Sequence, residues 1–401
     1  MPIENFTIPQ HVPPHVVIDF DKDAPEGFED DVHLAWAKLH DGPDIVWTPR
    51  HGGYWIATRA EDIDVMQMDH ARFSHAVVSV PKRPDHVPLV PLELDPPEHT
   101  PFRALLSPAF GPKPVHELEA DVRALTNSLI DGFIERGECE FVDEFAKRLP
   151  IAIFLQLVNL PMEDRDHLLE LTEKSVRARS PADQVAAFSG LQAYVGKWIA
   201  ERRARPGTDL FSKIVNARVD GREYTPQETF GMLSNVLFGG LDTVAATLGF
   251  VARCLAEQPQ LRRELVADPA LMGPAIEEFL RRYPVPQTTR VITHDFEYKG
   301  LQFKAGELIM LPKTLHGLDE RRFPDPLKVD IRRKVQRHAG FGDGPHRCPG
   351  AGLARMEVRV FIEEWLRRIP EFWIDPNNKP RCTTGTTNAM VTLKLQWSKP
   401  A

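Results

Sequence analysis

F-G-D-G-P-H-R-C-P-G, residues 341–350, runs directly into A-G-L-A-R-M-E-V-R-V, residues 351–360. The first segment is a glycine-rich loop that presents one cysteine, Cys348. The second opens a helix directly after it. The free N–H groups and positive dipole end of such a helix stabilise a thiolate. Gly342 and Gly344 permit a backbone too tight for larger side chains. The loop begins like G-x-G-x-x-G, but Arg347 holds the third glycine position and no parallel βαβ unit surrounds it. That argues against a dinucleotide loop.

The other cysteines, Cys139, Cys254 and Cys382, are widely spaced among 401 residues. They read as small buried hydrophobes, with neither a disulfide framework nor a zinc ribbon, which suits a reducing cytoplasm. Hydrophobic residues at 42% and charged residues at 26% are ample for a large core. A net charge of −8 without a dense basic tract argues against nucleic-acid binding. The N-terminus, M-P-I-E-N-F-T-I-P-Q, carries neither a basic nor an apolar signal region, and no apolar run predicts a membrane span. The 36 prolines are well above the usual share of about 5% and imply fixed turns and long ordered loops.

Outward from the cysteine loop, the chain reads as one mainly α domain, 1–401, with a small β region. A first helix is predicted over 30–40, and strands over 44–48 and 54–58 turn at His51-Gly52-Gly53. Residues 79–97 read as a long loop, a length usually reserved for function. The helical part spans about 99–285, with helices over 113–136, 141–157, 162–179 and 181–205. A polar loop follows. Thr225-Pro226-Gln227-Glu228 starts a helix running to about 256, with Thr225 as N-cap. One more helix ends near Tyr283. Strands fall within 290–311 and 370–398, an irregular stretch over 318–340, and a helix over 349–368.

The cysteine loop resembles the fingerprint of the cytochrome P450 family, the haem-thiolate monooxygenases, F-G-x-G-x-H/R-x-C-x-G, and meets every fixed position. The resemblance implies a triangular helical fold with haem b between a long central helix and the cysteine-loop helix. It makes Cys348 the axial ligand of the iron, a ligand that favours O–O cleavage. Three further segments match in the expected order. Within E-E-F-L-R, 277–281, Glu278 and Arg281 share a helix face by their i,i+3 spacing; the resemblance implies that they lock onto an arginine before the cysteine loop, for which Arg333 is the candidate. Within F-G-G-L-D-T, 238–243, two glycines and a threonine are poor helix formers. The resemblance implies a distortion there that admits O2, with Asp242 and Thr243 as an acid–alcohol pair relaying protons. Within L-D-P-P-E-H-T-P-F-R, 94–103, His99 and Arg103 match a haem-propionate pair, and Arg290 and His346 match two further propionate positions.

The resemblance is closest to the bacterial camphor-hydroxylase group. It implies a soluble enzyme supplied by a [2Fe–2S] ferredoxin, itself reduced by an NADH-dependent flavoprotein. Arg103, Arg347, Arg355 and Lys334 are candidates for a basic docking patch. There are departures. Counting to the group's ketone-binding tyrosine gives Val87, which puts camphor in doubt. Asn235 is polar where the group has leucine. Of two basic partners of the helix aspartate, Arg177 matches one, while Leu169 stands at the other. The expected substrate is a small apolar terpenoid or norisoprenoid, with Val87, Leu89, Asn235, Phe238, Val285 and Thr387 as pocket residues. A peroxygenase using hydrogen peroxide and a non-catalytic haem sensor are the alternatives; the Asp242–Thr243 pair argues against both.

Overall fold

A computed structural model describes residues 7–82, 87–177, 181–219, 221–334 and 337–399, apart from the side chains of residues 175–177, 181 and 184. The first helix is shorter than its sequence pattern. Asp31 accepts hydrogen bonds from the His33 and Leu34 amides and so caps an α-helix over Val32–Ala37, after which the chain tightens into a 3-10 turn, Lys38–Asp41. The strands Ile45–Thr48 and Tyr54–Ala57 pair antiparallel across the turn. His51, Gly52 and Gly53 there all adopt positive φ, the reason for two glycines in a row.

These strands open a five-stranded sheet. Leu308–Pro312 lies parallel to Tyr54–Ala57, followed by Gln287–Ile292 and then Phe73–Ser74. A three-stranded sheet joins Phe372–Ile374, Lys394–Trp397 and Glu138–Glu140. The expected helix over 141–157 begins as a π-helical turn, Val142–Ala146, before the α-helix Arg148–Leu157. The polar loop after Ala204 contains a helix the hydropathy pattern did not predict, Leu210–Val215. Asp209 caps it through the Ser212 amide, and Leu210, Phe211, Ile214 and Val215 are buried, so tertiary packing stabilises a segment too short to form alone.

The long central helix is divided. Thr225 and Glu228 form a reciprocal capping box at the start of Pro226–Leu241. The helix is interrupted at Asp242, whose backbone is stretched to φ −118° but stays right-handed, and Thr243–Glu257 resumes. The first half packs into one hydrophobic cluster with Phe154, Trp198 and Phe211; the second half enters another with Phe141, Phe361 and Trp365. The break therefore falls between two cores. By length and apolarity, Pro226–Glu257 could cross a membrane, but most of its most apolar window is buried in protein, as in a core helix. Thr243–Glu257 also packs on Ala351–Arg368, the helix after Cys348.

Candidate active site

The cysteine loop is built from two left-handed glycines, Gly342 (φ +68°) and Gly344 (φ +65°). At Gly344 the left-handed backbone favours glycine, and a Cβ there would also crowd the Met68 sulfur (3.0 Å) and the Gln67 carbonyl (3.3 Å). The Gly342 amide donates to the Ala339 carbonyl (2.8 Å), and the Cys348 amide to the Phe341 carbonyl (2.9 Å). This closes the loop and fixes the cysteine at its end. Gly350 is the N-cap of Ala351–Arg368, so Pro349 stands one residue before the cap and not at the first helical position expected for it. Cys139, Cys254 and Cys382 lie buried in the core, apart from Cys348 in its loop. Crowding by the protein pushes the Cys348 thiol up. The Gly350 amide directed at the sulfur and the guanidinium groups of Arg103, Arg355 and Arg347 pull the other way.

The helix Met272–Arg282 anchors this loop twice. Glu278 receives a bidentate pair from Arg281, Nε and Nη2 each at 2.8 Å. Its Oε1 also accepts from Arg333 Nε (3.1 Å) and the Asp330 amide (2.9 Å). Arg281 adds hydrogen bonds to the Gly317, Pro326 and Lys328 carbonyls. Both members of the Glu278–Arg281 pair are buried. The neighbouring Glu277, to which the sequence reading gave no role, clasps both sides of the cysteine loop. It receives Arg355 Nε at 2.5 Å from the following helix and lies 3.1 Å from His338 Nε2 before the loop. Its carboxyl is held down at about 2: burial works against this, but the His338 and Arg355 hydrogen bonds prevail. Arg355 also covers the Phe341 ring at 4.6 Å. It is therefore engaged inside the protein, while Arg347 and Lys334 of the same expected patch are exposed.

The four expected propionate partners converge. The rings of His99 and His346 are 4.4 Å apart, and Arg103 Nη2 donates to the Arg347 carbonyl. Arg290, buried in the five-stranded sheet, donates from Nη1 to its neighbour Thr289 (2.7 Å). Among the described residues, Arg290 Nε and the Nε2 atoms of His99 and His346 have no hydrogen-bond partner. Burial pulls Arg290 down to about 9 against the opposing charge of Asp95, and His346 to about 3, the latter also repelled by His99, Arg290 and Arg103. Buried ring and guanidinium nitrogens without partners fit an anionic acceptor. The two carboxylates of haem, with a cysteine thiolate beside them, are the chemistry this donor set fits. A third imidazole, His75, stacks on His346; no motif in the sequence pointed to it.

The central helix contributes the other half. Gly240 is pressed against Phe154, where a Cβ would come within 2.2 Å of the ring, whereas a Cβ on Gly239 meets nothing within 4 Å. One glycine serves packing, and the other faces open space. Gly239, Asp242 and Thr243 line a cavity of about 830 Å³. Thr243 Oγ1 donates to the Gly239 carbonyl (3.2 Å), and Asp242 is buried beside it. Leu89, Asn235, Phe238 and Thr387 also line this cavity. Val87 and Val285 do not: Val87 is half-buried in the loop, and Val285 packs into the core. Asn235 Nδ2 donates to the Val90 carbonyl (3.2 Å) and so ties the long loop to the central helix. The expected basic partner Arg177 has its side chain outside the described residues.

Comparison with known proteins agrees with this arrangement. The crystal structure of CYP101J2 superposes with a TM-score of 0.88 at 40% identity, covering 98% of this chain and 100% of that one. The crystal structure of CYP101C1 gives 0.89 at 39% identity, with the same coverage. A probable cytochrome P450 127A1 from Sinorhizobium fredii is 35% identical over 98% of this chain and 97% of its own length. A steroid C26-monooxygenase of Mycobacterium tuberculosis is 36% identical over 72% of this chain and 80% of its own. The sequence signature described as Cytochrome P450 matches residues 162–396. The fold and the sequence likeness agree, and the chain belongs to the cytochrome P450 family, the haem-thiolate monooxygenases.

Proposed function

We propose that this monooxygenase hydroxylates a small apolar terpenoid or norisoprenoid with O2, taking electrons singly from a [2Fe–2S] ferredoxin served by an NADH-dependent flavoprotein. The observation that carries the reading is the break in the central helix, which turns Asp242 and Thr243 into the cavity. Haem held by the Cys348 thiolate supplies the oxygen-activating chemistry. His99, Arg103, Arg290 and His346 hold its carboxylates. Leu89, Phe238 and Val391 offer apolar wall to the substrate, and the stacked rings of Phe188 and Phe238, 5.9 Å apart, add a flat surface. Asn235 shapes this wall through the loop it holds, since its amide N–H is already engaged by Val90.

Thr243 keeps its hydroxyl on the Gly239 carbonyl, 3.2 Å away, at the edge of the cavity. With haem bound, the Thr243 hydroxyl would turn from that carbonyl to pass a proton into the cavity, and Asp242 beside it would return one taken up from solvent. For electron delivery, Arg347 and Lys334 present exposed charge on the cysteine face, and an acidic ferredoxin complements them.

The test is turnover with a ferredoxin and its reductase. The wild type should form hydroxylated product in proportion to NADH consumed. Thr243→Ala should still bind substrate and consume NADH, but with product per NADH down by about ten-fold or more, within the range of a lost proton donor, and hydrogen peroxide appearing instead. An unchanged ratio removes Thr243 from the relay. Product formed from hydrogen peroxide alone at the ferredoxin-driven rate would favour the peroxygenase alternative, and no product by either route a sensor.

A further inference from the structure

His75 directly follows the short strand Phe73–Ser74 at the edge of the five-stranded sheet. It is 3% exposed, and its ring stacks on His346 with centroids 3.3 Å apart and planes inclined by 17°. With His99 it completes a row of three imidazoles. The Leu92 carbonyl is near enough to act on the ring, but neither ring nitrogen makes a hydrogen bond with a described residue. An imidazole that merely filled a core would be a poor choice, because two buried polar atoms without partners are costly. The residue's position is firmly set. Its amide donates to Asp95 Oδ1 (3.0 Å), and Ser74 Oγ donates to the other Asp95 oxygen. The Asp95 carbonyl in turn accepts from the His99 amide (2.9 Å). One aspartate therefore holds both outer histidines of the row.

We propose that His75 is a further propionate-binding residue, donating a ring N–H to a haem carboxylate alongside His346 and Arg290. Three observations converge on it: the orphaned ring nitrogens, the face-to-face stack on a histidine of the propionate set, and the shared Asp95 bracket. Lys313 adds to the case. It is buried and donates to Gln67 Oε1 (2.7 Å), and the charge of Arg290 acts on it more strongly than that of Asp64, so a second buried cation stands near Arg290. The inference rests on the haem of the family and on no particular substrate.

Two variants of the haem-loaded protein test it. His75→Phe keeps a flat ring for the stack and removes the donor; His75→Gln gives up the ring and keeps an N–H. Haem transfer to apomyoglobin should be about ten-fold faster for His75→Phe, the scale of one hydrogen bond to a charged group. Its propionate-bending band in the resonance Raman spectrum should move. His75→Gln should stay near wild type in both. A wild-type band and transfer rate in His75→Phe would overturn the assignment. So would His75→Gln behaving like His75→Phe, because ring packing and not hydrogen bonding would then be the cause.

Discussion

At position 349 the chain carries a residue without an N–H directly after Cys348, the proposed metal ligand. The Gly350 amide already addresses the Cys348 sulfur. A leucine at 349 would bring a second donor to the same atom. Hydrogen bonds to a charged acceptor are worth roughly 1.5–3 kcal/mol, and donors behind a ligand tune the metal through it. Pro349→Leu should therefore raise the haem reduction potential by tens of millivolts, where about 59 mV is a tenfold change for one electron. It should also raise the C–O stretching frequency of the carbonmonoxy form. Redox titration and infrared spectroscopy on the two proteins check this, and a downward shift would mean that the 349 amide does not reach the sulfur.

Single elements carry the next level of argument. In the central helix, adjacent glycines have opposite surroundings. Gly240→Ala drives a methyl into the Phe154 ring, and overpacking of that kind costs about 1–3 kcal/mol. Gly239→Ala meets no atom, so it should leave the denaturation midpoint near wild type while filling part of the cavity and weakening substrate binding. Urea titration of the two variants separates them; equal losses would refute the packing assignment. The helix Met272–Arg282 makes a pH-dependent contribution. The folded Glu277 carboxyl lies at about 2, below its ordinary 4.5. A depressed carboxyl stabilises fully above its unfolded value and loses that contribution as pH falls through the folded one. The stability advantage of wild type over Glu277→Gln should be present near neutrality and fade between about pH 4.5 and 2. Urea midpoints measured across that window give the answer, and a pH-independent difference would show that charge is not the cause.

For the molecule as a whole, substrate choice depends on walls contributed by distant segments: the loop around Leu89, the central helix at Phe238, and the hairpin strands Arg381–Thr383 and Ala389–Thr392 with the turn through Thr387 between them. No described wall residue is a tyrosine that could donate to a ketone. An ionone-like norisoprenoid should thus bind more tightly than camphor, by about ten-fold if apolar contact area decides. Titration of the Soret shift with each compound measures this, and tighter camphor binding would reverse the inference.

Cys348, the Glu278–Arg281 pair and the weak helix formers at 239–243 were legible in the sequence because each is a local pattern with a local physical cause: a thiolate at a helix start, a shared helix face, two glycines in a row. Arg333 was the candidate for the arginine that the resemblance implied, and its 3.1 Å contact with Glu278 depends on how the irregular stretch folds back. Glu277 gave no signal, because an exposed-looking glutamate beside another becomes a clasp only when His338 and Arg355 arrive from elsewhere in the chain. His75 was silent for the same reason: a single histidine after a strand means nothing until His346 stacks upon it. Asn235 lines the cavity as expected, but only the structure shows that one of its amide N–H groups also holds the long loop at Val90. The sequence by itself determined the helical frame through its period, and its resemblance to the cytochrome P450 family implied the chemistry and the candidate ligand, since a motif is a contiguous pattern. Only the tertiary structure decided which valines leave the pocket, which arginine is already paired and which imidazoles lack partners, because burial and pairing are set by residues far apart in the chain.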